Sequence, residues 1–330
     1  MGRVVVQILL PVIVAVVLVI AVGTGWWGHN RFVAAGPSKQ SVTVVIPRGA
    51  GPESIAGVLS DNGVIAGVAA REIFTIGARL TNRARRMRAG EYVFSIGISM
   101  DGAIALLIEG RTVKRKLTIA EGLTTRQVLA VIAAADGLTG RMPPAPGEGA
   151  LLPETYFYSL GDTRVGLVNR MSKAMAEFLA RTWPKRAQNI MLKIRDETLI
   201  LASIIEKETG RAGERARISA VFHNRLRRGM RLQSDPTVSY AITGPAGSLG
   251  RALTRADLKT ASPYNTYRIH GLPPTPIANP GRVSIRAALH PSNSKDLYFV
   301  ADGKGGHAFA RSLAQHNRNV RKWRRLKRRN

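Results

Sequence analysis

Leu199-Ile-Leu-Ala-Ser-Ile-Ile-Glu206-Lys-Glu208-Thr-Gly210 reads as a helix whose uncharged run, Leu199 to Ile205, ends in two carboxylates. A carboxyl abutting an apolar wall has its charged form desolvated, so its pKa climbs towards neutrality. That is the property a general acid needs at pH 7. The plainer reading makes Glu206 and Glu208 solvated acids at a helix end. Helical spacing does not separate them: Glu206 stacks over Ala202 and Ser203, and Glu208 over Ile204 and Ile205.

Asp196 is placed to cap this helix. The next helix spans about 214–228, with Ile218, Val221, Phe222 and Leu226 on its buried face and Gly229 as its stop. Leu232-Gln233-Ser-Asp235-Pro-Thr237 reads as a short irregular stretch, with Asp235 before Pro236 as a turn former. Residues 260–281 carry Pro263, Pro273, Pro274, Pro276 and Pro280 with Tyr264 and Tyr267 interleaved, and are predicted to be an exposed binding loop. Tyr298–Val300 and Ala308–Phe309, around Asp302-Gly303, predict a hairpin with a glycine-rich tip. Upstream, 164–182 is helical by spacing. Residues 136–153, rich in Gly and Pro, read as a long surface loop.

The amino-terminal third has its own pattern. Val42–Ile46 is a β-branched strand, and Ser54–Leu59 a helix with Ile55, Val58 and Leu59 at i, i+3 and i+4. A second helix follows at 68–79, then a strand at Glu91–Phe94, a helix at Met100–Glu109 and a strand-like alternation over Val113–Ile119.

Ahead of all this, Val4 to Val22 carries no charge and would rise about 28 Å as a helix, close to the hydrocarbon thickness of a bilayer. Trp26 and Trp27 follow it, where indoles favour a membrane interface. A transmembrane anchor is expected here, in preference to a cleaved signal peptide or a core helix. We expect the amino terminus in the cytoplasm and the bulk of the chain on the extracytoplasmic side of an inner (cytoplasmic) membrane. The positive-inside rule loses force for long domains.

The 330 residues include 49 Lys+Arg against 21 Asp+Glu, a net charge of +28, and 45% are hydrophobic. That hydrophobicity excludes a wholly disordered chain. A single run of membrane-spanning length excludes a polytopic membrane protein. With no cysteine there is no disulfide, no thiol nucleophile and no Cys-ligated metal. The basic excess calls for an anionic partner. Nucleic acid is not expected, because the basic residues lie in scattered clusters and in a tail without a base-reading fold. That tail, Arg318 to Arg329, holds eight Lys/Arg and no acid. It reads either as a membrane-surface segment or as a disordered end. HExxH, the P-loop and GxSxG are absent, and His223 reads as structural or surface.

Several ordered segments together carry a family resemblance. They are Leu201–Thr209, Val221-Phe-His-Asn-Arg-Leu226, Gly229–Thr237, Ser262-Pro-Tyr-Asn-Thr-Tyr267, Gly271-Leu-Pro-Pro274 and Tyr298–Gly303, with Leu152-Pro-Glu-Thr-Tyr156 upstream. The chain resembles the MltG (YceG-like) endolytic murein transglycosylases along essentially its whole length. Leu152 departs from the pattern, standing where an aromatic is common. The resemblance implies an α+β architecture: a single N-terminal transmembrane helix, a LysM-like α+β module, then a mixed α+β catalytic domain. The expected boundaries are 1–27 for a cytoplasmic stub and anchor, 28–41 linker, 42–110 LysM-like module, 111–317 catalytic domain and 318–330 basic tail.

It also implies cleavage of the β-1,4 bond from N-acetylmuramic acid to N-acetylglucosamine without water, leaving a 1,6-anhydro end. One glutamic acid acts first as acid and then as base, unlike the carboxylate pair of ordinary glycosidases. By motif position that residue is Glu206, with Glu208 as fallback. Asn224, Gln233, Asp235, Tyr264 and Asn265 are the candidate sugar contacts. Peptidoglycan strands are the implied partner, with peptidoglycan synthases as a further one, and no cofactor or metal is needed. The alternative is an inactive, membrane-anchored glycan-binding scaffold.

Overall fold

The computed structural model describes residues 2–328, with side chains from residue 11 onward. It divides into two compact units. The first comprises the chain up to Arg115 with Ser159–Gly161, and the second Lys116–Tyr158 with the chain from Asp162 on.

In the first unit, helix α1 (Gly2–Val33) contains the span Pro11–Val33, long and apolar enough to cross a membrane at a mean hydropathy of 2.0. Its side chains are not packed away: Val19 is 72% exposed and Trp26 69%. The helix runs on past Val22 into the segment read as a linker. Near its end Phe32 is buried with the unit's core.

Strands β1 (Val42–Ile46) and β2 (Gly90–Phe94) pair antiparallel, Val42 opposite Phe94 and Ile46 opposite Gly90. The two-residue period of a strand sends Val44, Ile46, Tyr92 and Phe94 inward and leaves Val45 and Val93 outside. Between the strands lie α2 (Pro52–Asp61) and α3 (Ala70–Leu80), and after them α4 (Met100–Glu109). Ile55, Leu59, Phe74, Ile104 and Leu107 complete the core. The expected strand–helix–helix–strand order is present.

In the second unit, β3 (Arg115–Thr118) pairs with β4 (Thr155–Tyr158), and α5 (Thr125–Ala133) and α6 (Arg164–Thr182) pack beside them. The central helix is α7 (Glu197–Glu208), where Leu201, Ala202, Ser203, Ile204 and Ile205 are all fully buried. A helix apolar on every side belongs in a core. Here α8 (Arg215–Arg227) and α10 (Arg282–Leu289) cover it, and α9 (Asp235–Thr243) meets its end. The hairpin of β5 (Tyr298–Ala301) and β6 (His307–Ala310) forms as expected, tipped by 302–306. Helix α11 (Leu313–Lys327) takes in most of the basic segment from Arg318 and lies along this hairpin. Tyr298 stacks on His316 at 5.2 Å, and Leu326 sits against Gly303. Arg329 and Asn330 lie outside the described residues.

Four expectations change. Residues 260–281 are not an exposed loop: Asn265, Thr266, Ala278 and Asn279 are fully buried. This strap can be buried because side chains satisfy its backbone. Ser203 Oγ accepts from Ile277 N at 3.0 Å, and Asn265 Nδ2 donates to the carbonyls of Leu258 and Thr260. The 136–153 segment likewise ends inside, with Leu151 and Leu152 fully buried. Asp235 is no turn former: it opens α9, with Pro236 in the first turn, where a proline costs no hydrogen bond. Asp196 stands at the cap position of α7, but its side chain makes no cap bond; Glu197 accepts from Lys193 N instead.

Candidate active site

The two glutamates at the end of α7 meet opposite surroundings. Glu206 points into the protein, its side chain 5% exposed. Arg215 Nη2 donates to its Oε1 at 2.8 Å and Gly281 N to its Oε2 at 2.9 Å. Arg215 is itself buried on α8 and held by Ser284 Oγ at 2.9 Å. A second carboxylate, Glu121, reaches Arg215 at 3.6 Å. Burial, with Glu206's charge adding, raises Glu121's pKa, while Arg215 opposes the rise. A Cβ on Gly281 would stand 1.7 Å from Glu121 Oε1, so a side chain there would make the Glu121 carboxylate swing aside. Both oxygens of Glu206 are thus engaged by donors, one of them a full positive charge.

Glu208, half a turn on, accepts from the hydroxyl of Ser234, just ahead of α9. Burial pushes its carboxyl up to about 7, and the negative charge of Asp235 adds to this. The Ser234 hydrogen bond and Arg225 oppose the rise. Arg225 is no ion-pair partner. It is buried, with Nε donating to Leu297 O and Nη1 to Leu232 O, each at 2.7 Å.

Next to Glu208 in the chain, Lys207 faces a groove of about 420 Å³. Lys207 and Asp235 line it together with Tyr240, Ser239, Arg251 and Ile277. Its outer loop is clamped by Asp257, whose carboxylate takes Arg251 at 2.6 and 3.1 Å and Thr254 N at 2.7 Å. These bonds hold Asp257 well below the usual carboxylate range. Behind Tyr240 sits Glu148, which accepts from Thr125 N at 2.5 Å and Tyr240 OH at 3.3 Å. Burial raises its pKa, and these hydrogen bonds offset part of the rise.

Of the five candidate contacts, three lie on this side of α7. Asp235 lines the groove and accepts from Tyr267 OH at 2.6 Å. Gln233 is exposed, at a left-handed φ of 49°, two residues ahead of it. Tyr264 packs its ring 5.0 Å from Tyr240 and shares a 2.7 Å bond with Thr275. The other two are clamps. Asn224 Nδ2 donates to the carbonyls of Ser294 and Asp296, and fully buried Asn265 holds its own loop. His223 is structural: Nδ1 accepts from Met191 N at 3.0 Å, so Nε2 donates to Ala288 O. Burial lowers its pKa and keeps it neutral.

Glu121, Glu148, Arg215, Ser234 and Tyr267 were not legible as site residues. They come from distant segments, and only the packing of α8, α9 and the strap around α7 assembles them. Among the described residues no group of His, Asp and Glu is arranged to hold a metal ion.

The model of the YceG-like family matches residues 44–322. An endolytic murein transglycosylase of Bacillus subtilis is 31% identical over 318 residues, covering 87% of this chain and 86% of that protein. One from Streptococcus pneumoniae is 29% identical over 333 residues, covering 86% of this chain and 58% of its own longer chain. The 2.6 Å crystal structure of a yceG-like protein from Listeria monocytogenes superposes with a TM-score of 0.52 at 33% identity. It covers 85% of this chain and 99% of that one.

Proposed function

The chain belongs to the YceG-like family, and from that premise we propose that it is a peptidoglycan lytic transglycosylase. It cleaves the MurNAc-β-1,4-GlcNAc bond within glycan strands and leaves 1,6-anhydro-MurNAc ends. We assign the acid to Glu208, the fallback of the sequence reading, in place of Glu206. The observation that carries this is the contrast between the two groups. Glu206 has a guanidinium and a backbone N–H on its two oxygens, so both are already engaged within the protein. Glu208 is raised to about 7, and the groove is lined by Lys207, its chain neighbour, and by Asp235, next to its hydrogen-bond partner Ser234.

In this account the Glu208 carboxyl protonates the glycosidic oxygen as the C1–O bond breaks, releasing the GlcNAc 4-hydroxyl. The muramoyl 6-hydroxyl then attacks C1, and its proton returns to the Glu208 carboxylate. The ring closes, the acid is restored and no water enters. Asp235 keeps Glu208 protonated through its charge, and Tyr240 and Tyr264 offer ring faces to sugar. Gln233 is retained as an exposed polar contact. Asn224 and Asn265 act by holding loops.

Residues 42–110 serve as a LysM-like module; their βααβ order and paired strands support this. An α1 anchored in the cytoplasmic membrane places the catalytic unit outside, where strands leave the peptidoglycan synthases, and cleavage there limits strand length.

Digestion of peptidoglycan in H₂¹⁸O tests the reaction type. The lytic route yields anhydro ends with no ¹⁸O. Incorporation of ¹⁸O at the new reducing ends would make the protein a hydrolase, with Asp235 as the base that activates water.

A further inference from the structure

Helix α3 has one apolar stripe more than its core needs. Ala70, Phe74 and Ala78, at i, i+4 and i+8, are buried in the first unit. Ile73, Ile76, Gly77 and Leu80, at i, i+3, i+4 and i+7, form a second stripe beside it. Ile76 is 54% exposed and Leu80 82%. An amphipathic surface helix normally turns its second face to water with polar groups.

This stripe faces α1 across an apolar cleft of about 700 Å³. The α1 wall runs from Ala21 to Val33, with Trp27 and Phe32, and the α3 wall is Ile73, Ile76, Gly77 and Leu80. The joint between the helices is tight. Phe32 lies over Gly77, where a Cβ would come within 2.3 Å of the ring. The cleft therefore has a fixed place along α1. One end lies at Ala21, inside the uncharged run that closes at Val22. The other lies about 18 Å further along the helix, near Val33. Exposed Trp26 and Arg31, whose guanidinium sits 6.0 Å from the Trp27 ring, mark the level of a bilayer interface between them.

We infer that this cleft is filled by phospholipid acyl chains, so that α3 lies in the outer membrane interface as an interfacial helix and the first unit rests on the bilayer. The inference relies on α1 being a membrane anchor. Its occupant follows from continuity: the cleft is an extension of the lipid-facing surface of α1 and its walls are mostly apolar; of its polar groups, Thr24 and Thr81 bond carbonyls of their own helices, Asp101 is paired with Arg83, and His29 also lines it. Arg71 and Arg79, on the flank of α3, are paired with Asp61 and Glu53, so they present no unpaired charge to hydrocarbon.

The chain has no cysteine, so single-cysteine forms of the full-length protein label at one site. Val19→Cys in the anchor, Leu80→Cys in the cleft and Val93→Cys on the outer face of the β1–β2 sheet would each carry an NBD probe in phosphatidylglycerol/phosphatidylethanolamine nanodiscs. The expected result is blue-shifted emission at Val19 and Leu80, quenched when the acyl chains are brominated, with water-like emission at Val93. Water-like emission at Leu80 with Val19 still quenched would overturn the inference and leave the anchor standing. Blue-shifted but unquenched emission at Leu80 would also overturn it, since a second copy of the chain would then fill the cleft. Unquenched emission at Val19 would sink the anchor and the inference with it.

Discussion

Glu206 and Glu208 leave the same helix two residues apart, and their surroundings give them different work. Replacing Glu206 by Gln puts an amide N–H₂ against Arg215 or Gly281 N, and either clash leaves a buried charge without its partner. Breaking a buried pair in this way costs about 3–5 kcal/mol. Glu206→Gln is therefore expected to lower the urea midpoint steeply, with activity lost in step with folding. Glu208→Gln keeps an oxygen to accept from Ser234, so its unfolding midpoint at pH 5 should stay near that of wild type while turnover disappears. The sign of the pH effect follows from the raised pKa. An acid lifted from 4.5 to about 7 in the fold contributes stability that is complete below 4.5 and is lost as pH rises through 7. The loss is on the order of 3 kcal/mol. Denaturation from pH 4 to 8 should show this slope in wild type and its removal in Glu208→Gln. Activity should fall along the same limb, because the protonated form is the reagent. Helical spacing did not separate the two glutamates, and motif position put Glu206 first; the assignment to Glu208 draws on Arg215, Gly281 and Ser234, which spacing on one helix does not reveal.

Elements were legible where their periodicity was long. α6, α7 and α8 stand where their patterns put them, because 12 to 19 residues of apolar spacing outweigh local ambiguity, and the two hairpin strands were marked by the turn signal at Asp302-Gly303 between them. α5, α9 and α10 were missed, being 9, 9 and 8 residues long. Yet α5 carried a signal in Thr124 and Gln127, which form a complete capping box. α9 carried one in Pro236. The strap was misread because prolines and tyrosines look exposed in a sequence, whereas its burial depends on single polar side chains. Asn279 is the main one: Oδ1 accepts from Leu151 N at 2.9 Å and Nδ2 donates to Leu123 O at 3.0 Å. Asn279→Ala strands a buried amide and should cost about 1–3 kcal/mol in urea unfolding. Where the strap meets the 143–150 segment, Gly149 sits at φ +79° with Pro276 2.7 Å from any added Cβ. Gly149→Ala should destabilise by a similar amount, about 1–3 kcal/mol. Unchanged midpoints in both variants would show that the strap is not held as described.

Over the whole molecule, the order of anchor candidate, βααβ unit and larger α+β unit was readable from composition shifts and strand–helix order. The reach of α1 to Val33 was not, because the glycines at 23, 25 and 28 hide helix in a sequence while Phe32 and Gly77 fix it in the fold. The charge of +28 belongs to this scale too. If it serves an anionic polymer, retention on intact peptidoglycan should weaken steadily as salt shortens the Debye length from about 10 Å at 0.1 M to about 3 Å at 1 M. Salt-independent retention would assign the binding to sugar contacts alone. The central claim is that one raised carboxyl, Glu208, performs the whole reaction. It is tested most directly by mass spectrometry of peptidoglycan digested by wild type, Glu208→Gln and Asp235→Asn under identical conditions. The account predicts anhydro-MurNAc ends from wild type, none from Glu208→Gln, and the same anhydro ends at a rate optimum shifted to lower pH from Asp235→Asn. Anhydro ends from Glu208→Gln at the wild-type rate would contradict it.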